Sequence, residues 1–184
     1  MILGISGTFG GGKDTIAEYL IEKDFQHISC SDILREEARR RGLTVERENL
    51  RILGNEFLKK IGPGALAKKA VKEKTKKNLA LSSVRQPGEV DYLHTIEDFK
   101  LIFVDAPIEL RFERMKKRSE NDPEKIEEQQ MSLEDLKHRE DLEMSGKSSQ
   151  VLSYCKENAD YLIDNSKTKE DLYKTIDKII TENK

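Results

Sequence analysis

The chain has 184 residues, and much of what marks common protein classes is missing from them. There are two cysteines, Cys30 and Cys155, which form neither a metal-ligand spacing nor a disulfide framework, so a reducing, cytoplasmic setting is the expectation. The three histidines, His27, His94 and His138, are scattered without ligand spacing, and no Ser-His-Asp or Cys-His arrangement can be argued. No apolar run approaches the length needed to span a bilayer, and an apolar strand pattern from residue 1 leaves no room for a signal peptide. Charged residues make up 37% of the chain yet sum to −2, so nothing global argues for nucleic acid or an anionic membrane. The lysines at 68, 69, 72, 74, 76 and 77 read as a solvated helix face. Internal repeats and low-complexity linkers are absent. No D-x-x-G occurs, which leaves a switch GTPase without its second switch. Thr168-Lys169-Glu170-Asp171 formally fits a guanine-reading pattern but reads better as a helix N-cap with early acids.

What is present is concentrated at Met1 to Leu20, MILGISGTFGGGKDTIAEYL. An apolar strand runs into a glycine-rich loop, then a lysine, then a helical pattern with Ile16, Ala17, Leu20 and Ile21 on one face. Gly7 to Lys13 spells G-x-x-x-x-G-K, the phosphate-binding loop. Glycines let the backbone wrap closely enough for successive N–H groups to face phosphate oxygens. The helix N-terminus adds partial positive charge, and Lys13 a full one. Gly7, Thr8, Phe9, Gly10, Gly11, Gly12, Lys13, Asp14 and Thr15 are therefore the expected nucleotide-binding segment. After the lysine, Asp14 stands where a Ser or Thr hydroxyl usually ligates Mg²⁺; a carboxylate is also a competent hard ligand.

Further along, strands are predicted at 25–30, 79–84, 99–106 and 159–165. Between them lie helical patterns: one capped by Ser31-Asp32, one through Leu50 to Ile61, one from Ala65 to Lys76, one opened by Pro87-Gly88 and one begun by Pro107. Asp122-Pro123 reads as a turn or cap, Ser132 to Asp135 as a capping box, and Leu172 to Ile180 as a closing amphipathic helix. Five strands alternating with helices imply an α/β fold, a parallel sheet covered on both faces. Ligands in such sheets bind beyond the carboxyl ends of the strands. Those ends carry Ser31-Asp32, Arg85, Asp105 and Asn165-Ser166.

Phosphoryl transfer needs cations around the moving group and a second set to hold the acceptor. Arg114 and Arg118 are four apart on one helix face, just before a charged segment suited to closing as a lid, and Arg139 follows on the next helix. Asp32, Arg35 and Arg85 are the expected acceptor-side groups.

GISGTFGGGKDT, CSDILREEA, SSVRQPGEV, VDAPIELRFERMKKR and ADYLIDN, in this order, resemble the P-loop nucleotide kinases over nearly the whole chain. Within them, SDILREEARRRG followed by GPGALAKK looks most like a poorly characterised, largely archaeal family similar to adenylate kinases and dephospho-CoA kinases. The resemblance implies a three-layer α/β/α P-loop fold with strand order 2-3-1-4-5 in a single domain, residues 1–184. It further implies a helical acceptor-binding segment at 31–77 and a lid at 119–144. ATP and Mg²⁺ are the implied cofactors, and a nucleoside or deoxynucleoside monophosphate is the implied acceptor. Phosphorylation of a ribose hydroxyl, as in dephospho-CoA kinases, and a non-catalytic ATP-binding module are the alternatives. Arg35 and Arg85 match arginines that bind the acceptor phosphate. Arg114 and Arg118 match a lid pair, one over adenine and one on the phosphates, and Asp32 matches an acceptor-side base. Nucleic acid and membrane are not implied as partners, and the protein is expected to be a monomer or homodimer. One departure stands out. Many members of the resembled group end strand three with an aspartate that holds Mg²⁺ through water, whereas Ser82 and Ser83 occupy that place here. Together with Asp14, this suggests that the acidic metal contact has moved into the phosphate loop.

Overall fold

The computed structural model describes residues 1–120, 126–146 and 151–183. Five parallel strands form its sheet: β1 (Ile2–Gly7), β2 (Phe25–Ser29), β3 (Asn78–Ser82), β4 (Phe99–Asp105) and β5 (Tyr161–Asp164), in the order β2-β3-β1-β4-β5. The order expected from the resemblance is the observed one. The helices are α1 (Lys13–Glu22), α2 (Cys30–Arg40), α3 (Arg47–Ile61), α4 (Ala65–Lys72) and α5 (Pro87–His94). They continue as α6 (Ile108–Ser119), α7 (Ile126–Gln130), α8 (Leu133–Met144), α9 (Leu152–Glu157) and α10 (Lys169–Glu182).

Side chains alternate across each strand, so the sheet has two apolar faces and each takes its own helices. Leu3, Ile5, Ala80, Ile102, Val104 and Ile163 meet Ile16 and Leu20 of α1 and Leu172, Ile176 and Ile179 of α10. Leu79, Leu81, Leu101 and Phe103 face Ile33 of α2, Ala67 and Ala70 of α4, Leu93 of α5 and Cys155 of α9. Fully burying one such Leu or Ile contributes about 1.5–3 kcal/mol, so the two layers carry most of the stabilisation. Gly4 sits in mid-strand because an added Cβ there would come within 2.8 Å of the Phe99 ring.

Local chemistry sets the boundaries. Ser132 caps α8, its hydroxyl accepting from the Asp135 amide at 3.1 Å, and Thr168 caps α10 by accepting from Asp171 at 3.2 Å. Both caps match the sequence reading. Other boundaries differ from it, three of them near the cleft or its flanking helices. Ser29, not Ser31-Asp32, is the N-cap of α2, because the strand's extended backbone passes straight into helix at Cys30. Asp32 therefore lies inside the first turn. Helix α4 opens behind the left-handed Gly64 and closes at Lys72, four residues short of the predicted end. Strand β3 closes at Ser82, since Ser83 takes a φ of 61°. Helix α9 was not predicted. Asp122-Pro123 lies outside the described residues. Among the described residues no helix is long and apolar enough to cross a membrane.

Candidate functional site

The phosphate loop occupies the turn from β1 to α1, and its glycines are needed for space as well as for φ. Gly12, the N-cap of α1, has φ 110°, and a Cβ on it would overlap the Asn165 amide. Gly7 has φ 146°, and its Cβ would overlap the Val104 carbonyl; Gly10 at φ 78° would come within 2.9 Å of the Arg111 carbonyl. Asn165, following β5, donates to the Gly11 carbonyl at 2.9 Å, and Thr8 donates to Asp105 at the end of β4 at 2.6 Å. Two neighbouring strand ends thus hold the loop in shape. Lys13 Nζ folds over it and donates to the carbonyls of Thr8 at 2.7 Å and Gly7 at 3.1 Å. Burial is the main force pushing the Lys13 ammonium down to about 7; Arg85 adds to it and Asp14 opposes it.

A cleft of about 650 Å³ opens over this loop. Of the residues named from the sequence, Phe9, Gly10, Gly12, Lys13, Asp14, Thr15, Asp32, Arg35, Arg85, Arg114 and Arg118 line it. Gly7, Thr8 and Gly11, also part of the loop, are buried and do not line the cleft. Arg139 does not line the cleft. Its guanidinium lies 4.4 Å from the Phe9 ring centre, with Glu143 accepting its Nε at 3.2 Å. Arg118 approaches the same ring at 5.3 Å, chelates Glu128 of α7 with two bonds of 3.0 Å, and reaches Asp14 at 3.6 Å. Arg114 donates to the Asn165 carbonyl at 2.8 Å. The Asp14 side chain is 79% exposed. Among the described residues no group of three or more His, Cys, Asp or Glu is arranged to hold a metal ion.

On the other side of the cleft, Arg35 and Asp32, one turn apart on α2, form an ion pair of 2.6 Å. Arg85 owes its position to Glu89, a 3% exposed acid of α5 that reaches back and accepts the backbone amides of Arg85 at 2.9 Å and Gln86 at 3.2 Å. Burial raises the Glu89 carboxyl to about 6, while those two amides and the Arg85 charge pull the other way. Burial also lowers the Arg85 guanidinium, which Glu143 counteracts.

Sequence reasoning did not identify Arg111, whose side chain is 3% exposed. It donates to the Ala106 carbonyl at 2.6 Å and the Phe9 carbonyl at 3.1 Å, and pairs with Glu140 of α8. Nor did it assign His27 and Ser29 to the cleft, and it noted Ser82 and Ser83 only for the acid they replace; all four line the cleft beside Asp32. Their one sequence signal was spacing: residues 27 and 29 share a face of β2, and that face leads to the strand's carboxyl end.

Residues 6–132 match a family model described as an AAA domain. A UPF0200 protein of Sulfurisphaera tokodaii is 30% identical over 171 residues, which are 92% of this chain and 90% of that protein. The chain belongs to the UPF0200 family. A second member, from Thermococcus onnurineus, is 28% identical over 98% of this chain and 96% of its own length. A UPF0200/UPF0201 protein of Archaeoglobus fulgidus is 33% identical over 176 residues; the chain spans 51% of that relative's length. Among solved structures, a shikimate kinase from Bacteroides thetaiotaomicron superposes with TM-score 0.65 at 11% identity, covering 98% of both chains. A shikimate kinase from Acinetobacter baumannii in complex with shikimate superposes with TM-score 0.60 at 19% identity, covering 100% of this chain and 94% of the other. The UPF0200 chain therefore has the fold of the P-loop kinases.

Proposed function

We propose that this chain is an ATP- and Mg²⁺-dependent phosphotransferase that moves the γ-phosphoryl group to a small phosphorylated acceptor. The observation that carries the reading is the arrangement of two cationic sets across one cleft. Lys13, Arg114 and Arg118 stand beside the phosphate loop, and Arg35 and Arg85 stand opposite with Asp32. The kinase-like fold supports nucleotide-dependent chemistry, and the loop suits a triphosphate because it carries the G-x-x-x-x-G-K pattern and its glycines let the backbone pack against Val104, Arg111 and Asn165 where a side chain would not fit.

In this reading Lys13 exchanges its two loop carbonyls for β- and γ-phosphate oxygens, whose negative charge favours its protonated form against the cost of burial. Arg118, now shared between Glu128 and Asp14, moves onto the transferring group, where a preorganised cation lowers the barrier most. Arg114 flanks the donor nucleotide. Arg139 acts through Phe9, holding the loop's aromatic in place. Arg35 and Arg85 grip the acceptor phosphate, and Asp32 orients or deprotonates the attacking oxygen. Asp14 and Thr15 would hold Mg²⁺ from the loop side, where the ion would supply countercharge to the phosphates.

The resemblance names a nucleoside or deoxynucleoside monophosphate as acceptor, with a ribose hydroxyl as the second form. Asp32→Asn separates them, because a phosphate oxygen needs no base and a hydroxyl does. Incubation with Mg-ATP and a panel of acceptors, following ADP and product together, tests the proposal. Product with none of them, despite tight ATP binding, would instead favour a non-catalytic nucleotide-binding module.

A further inference from the structure

The acceptor side of the cleft has a chemical character of its own. Among the described residues, the lining contributed by β2, α2, β3 and the turn after it is polar throughout, consisting of His27, Ser29, Ser31, Asp32, Arg35, Ser82, Ser83 and Arg85. The apolar lining residues, Phe9, Met115 and Leu172, come from the phosphate loop, α6 and α10 on the donor side. The polar side chains are linked to one another. His27 Nε2 and Ser82 Oγ are 2.8 Å apart, and Ser29 donates to Ser83 at 3.4 Å. Ser83 holds a left-handed backbone, φ 61°, at the edge of the cleft, a conformation that costs a non-glycine residue about 1 kcal/mol.

A nucleobase is held by stacking and apolar contact, and this wall offers little of either. It offers paired hydroxyls and an imidazole. In one tautomer His27 donates to Ser82 and leaves the serine proton for an acceptor oxygen; in the other it accepts, and the serine lone pairs face an acceptor hydroxyl. Either way the pair reads hydroxyl groups. Burial lowers the His27 pKa, which keeps the ring neutral and able to take both roles.

We infer that the acceptor is a phosphorylated polyol, such as a sugar phosphate, recognised through its hydroxyls by the Ser82–His27 pair and through its phosphate by Arg35 and Arg85. The inference rests on the kinase reading above and specifies its acceptor. A hydroxyl oxygen of the acceptor forms a bond to the γ-phosphorus while the bond from that phosphorus to the β,γ-bridging oxygen breaks. The electron pair leaves with ADP, and the hydroxyl proton passes to the Asp32 carboxylate and then to water. Ser82 and His27 are positioning residues for the acceptor's other hydroxyls.

The test compares kcat/KM of the full chain with Mg-ATP for ribose 5-phosphate, glucose 6-phosphate and glycerol 3-phosphate against the nucleoside and deoxynucleoside monophosphates and dephospho-CoA. A sugar or polyol phosphate is expected to exceed every base-bearing acceptor by at least tenfold. In Ser82→Ala the acceptor KM should rise about tenfold, the value of one hydrogen bond, with kcat and the KM for ATP nearly unchanged. His27→Asn, which keeps a hydrogen-bonding side chain, should lose less than His27→Ala. A base-bearing acceptor preferred by tenfold overturns the inference and leaves the kinase reading standing. No transfer to any acceptor overturns both. An unchanged acceptor KM in a folded Ser82→Ala protein removes the role of the pair and with it the inference.

Discussion

Arg111 and Glu140 form a two-bond ion pair of 2.6 and 3.0 Å that joins α6 to α8 beneath the phosphate loop. The same guanidinium holds the carbonyls of Ala106 and Phe9, so one buried side chain ties the end of β4, the loop and α8 together. Removing one partner of a buried pair leaves the other charge uncompensated, which typically costs about 3–5 kcal/mol. Arg111→Ala, which also deletes two carbonyl bonds, should therefore lose about 3 kcal/mol in urea unfolding, and Glu140→Ala, which leaves Arg111 its carbonyls and Asp105 at 3.5 Å, should lose less. Equal, small losses would show that the pair is not a tie.

Gly12 and Gly42 make a controlled comparison, because both have positive φ but only one is crowded. A Cβ at Gly42, φ 69°, meets nothing within 4 Å, whereas one at Gly12 overlaps the Asn165 amide. Gly42→Ala should cost about 1 kcal/mol of stability and leave ATP affinity intact. Gly12→Ala should weaken ATP binding at least tenfold by displacing Asn165 and the loop it holds. Calorimetric titration of both variants checks this.

The protonation of Lys13 gives a pH signature. Its folded pKa of about 7 lies below its ordinary value of 10.5, so between those pH values the unfolded chain binds more protons than the folded one. Stability contributed through this group therefore rises with pH across that window, and the full cost of burying the ammonium is felt below pH 7. Phosphate anions favour the charged form. ATP binding at pH 8 should consequently take up a proton, seen as a dependence of binding enthalpy on the buffer's ionisation enthalpy. Lys13→Met should abolish that dependence.

Much of the fold was legible because it rests on local signals. The phosphate loop, the short apolar strand runs and the caps at Ser132 and Thr168 need only neighbouring residues to be read. Helix α9 escaped because its signal was two buried residues, Leu152 and Cys155, in a six-residue element. The candidate site divides the same way. Lys13 follows from the loop motif, Arg114 and Arg118 from helical spacing and Asp32 and Arg85 from strand ends, whereas Arg111–Glu140 and His27–Ser82 join positions 29 and 55 residues apart in sequence. Arg139 was expected over the phosphates; its stacking on Phe9 depends on how α8 packs, which no spacing encodes.

Asp14 bears on the metal. It lines the cleft, with Arg118 3.6 Å away as its ion-pair partner, and β3 ends in Ser82 rather than an acid. If Asp14 supplies the acidic contact, Asp14→Ser should lose the Mg²⁺-dependent gain in ATP affinity, measured by titration with and without the metal. A variant with undiminished Mg²⁺ dependence would assign Asp14 to the helix terminus instead, where a first-turn acid complements the dipole.

The most direct measurement is the rate of γ-phosphoryl transfer from Mg-ATP to the best acceptor, compared between the native chain and Lys13→Met. Loss of this cation should slow transfer at least a hundredfold, on the order of 3 kcal/mol of transition-state stabilisation. A Lys13→Met protein that transfers phosphate at a rate close to the native one would contradict the assignment of this cleft as a phosphotransferase site.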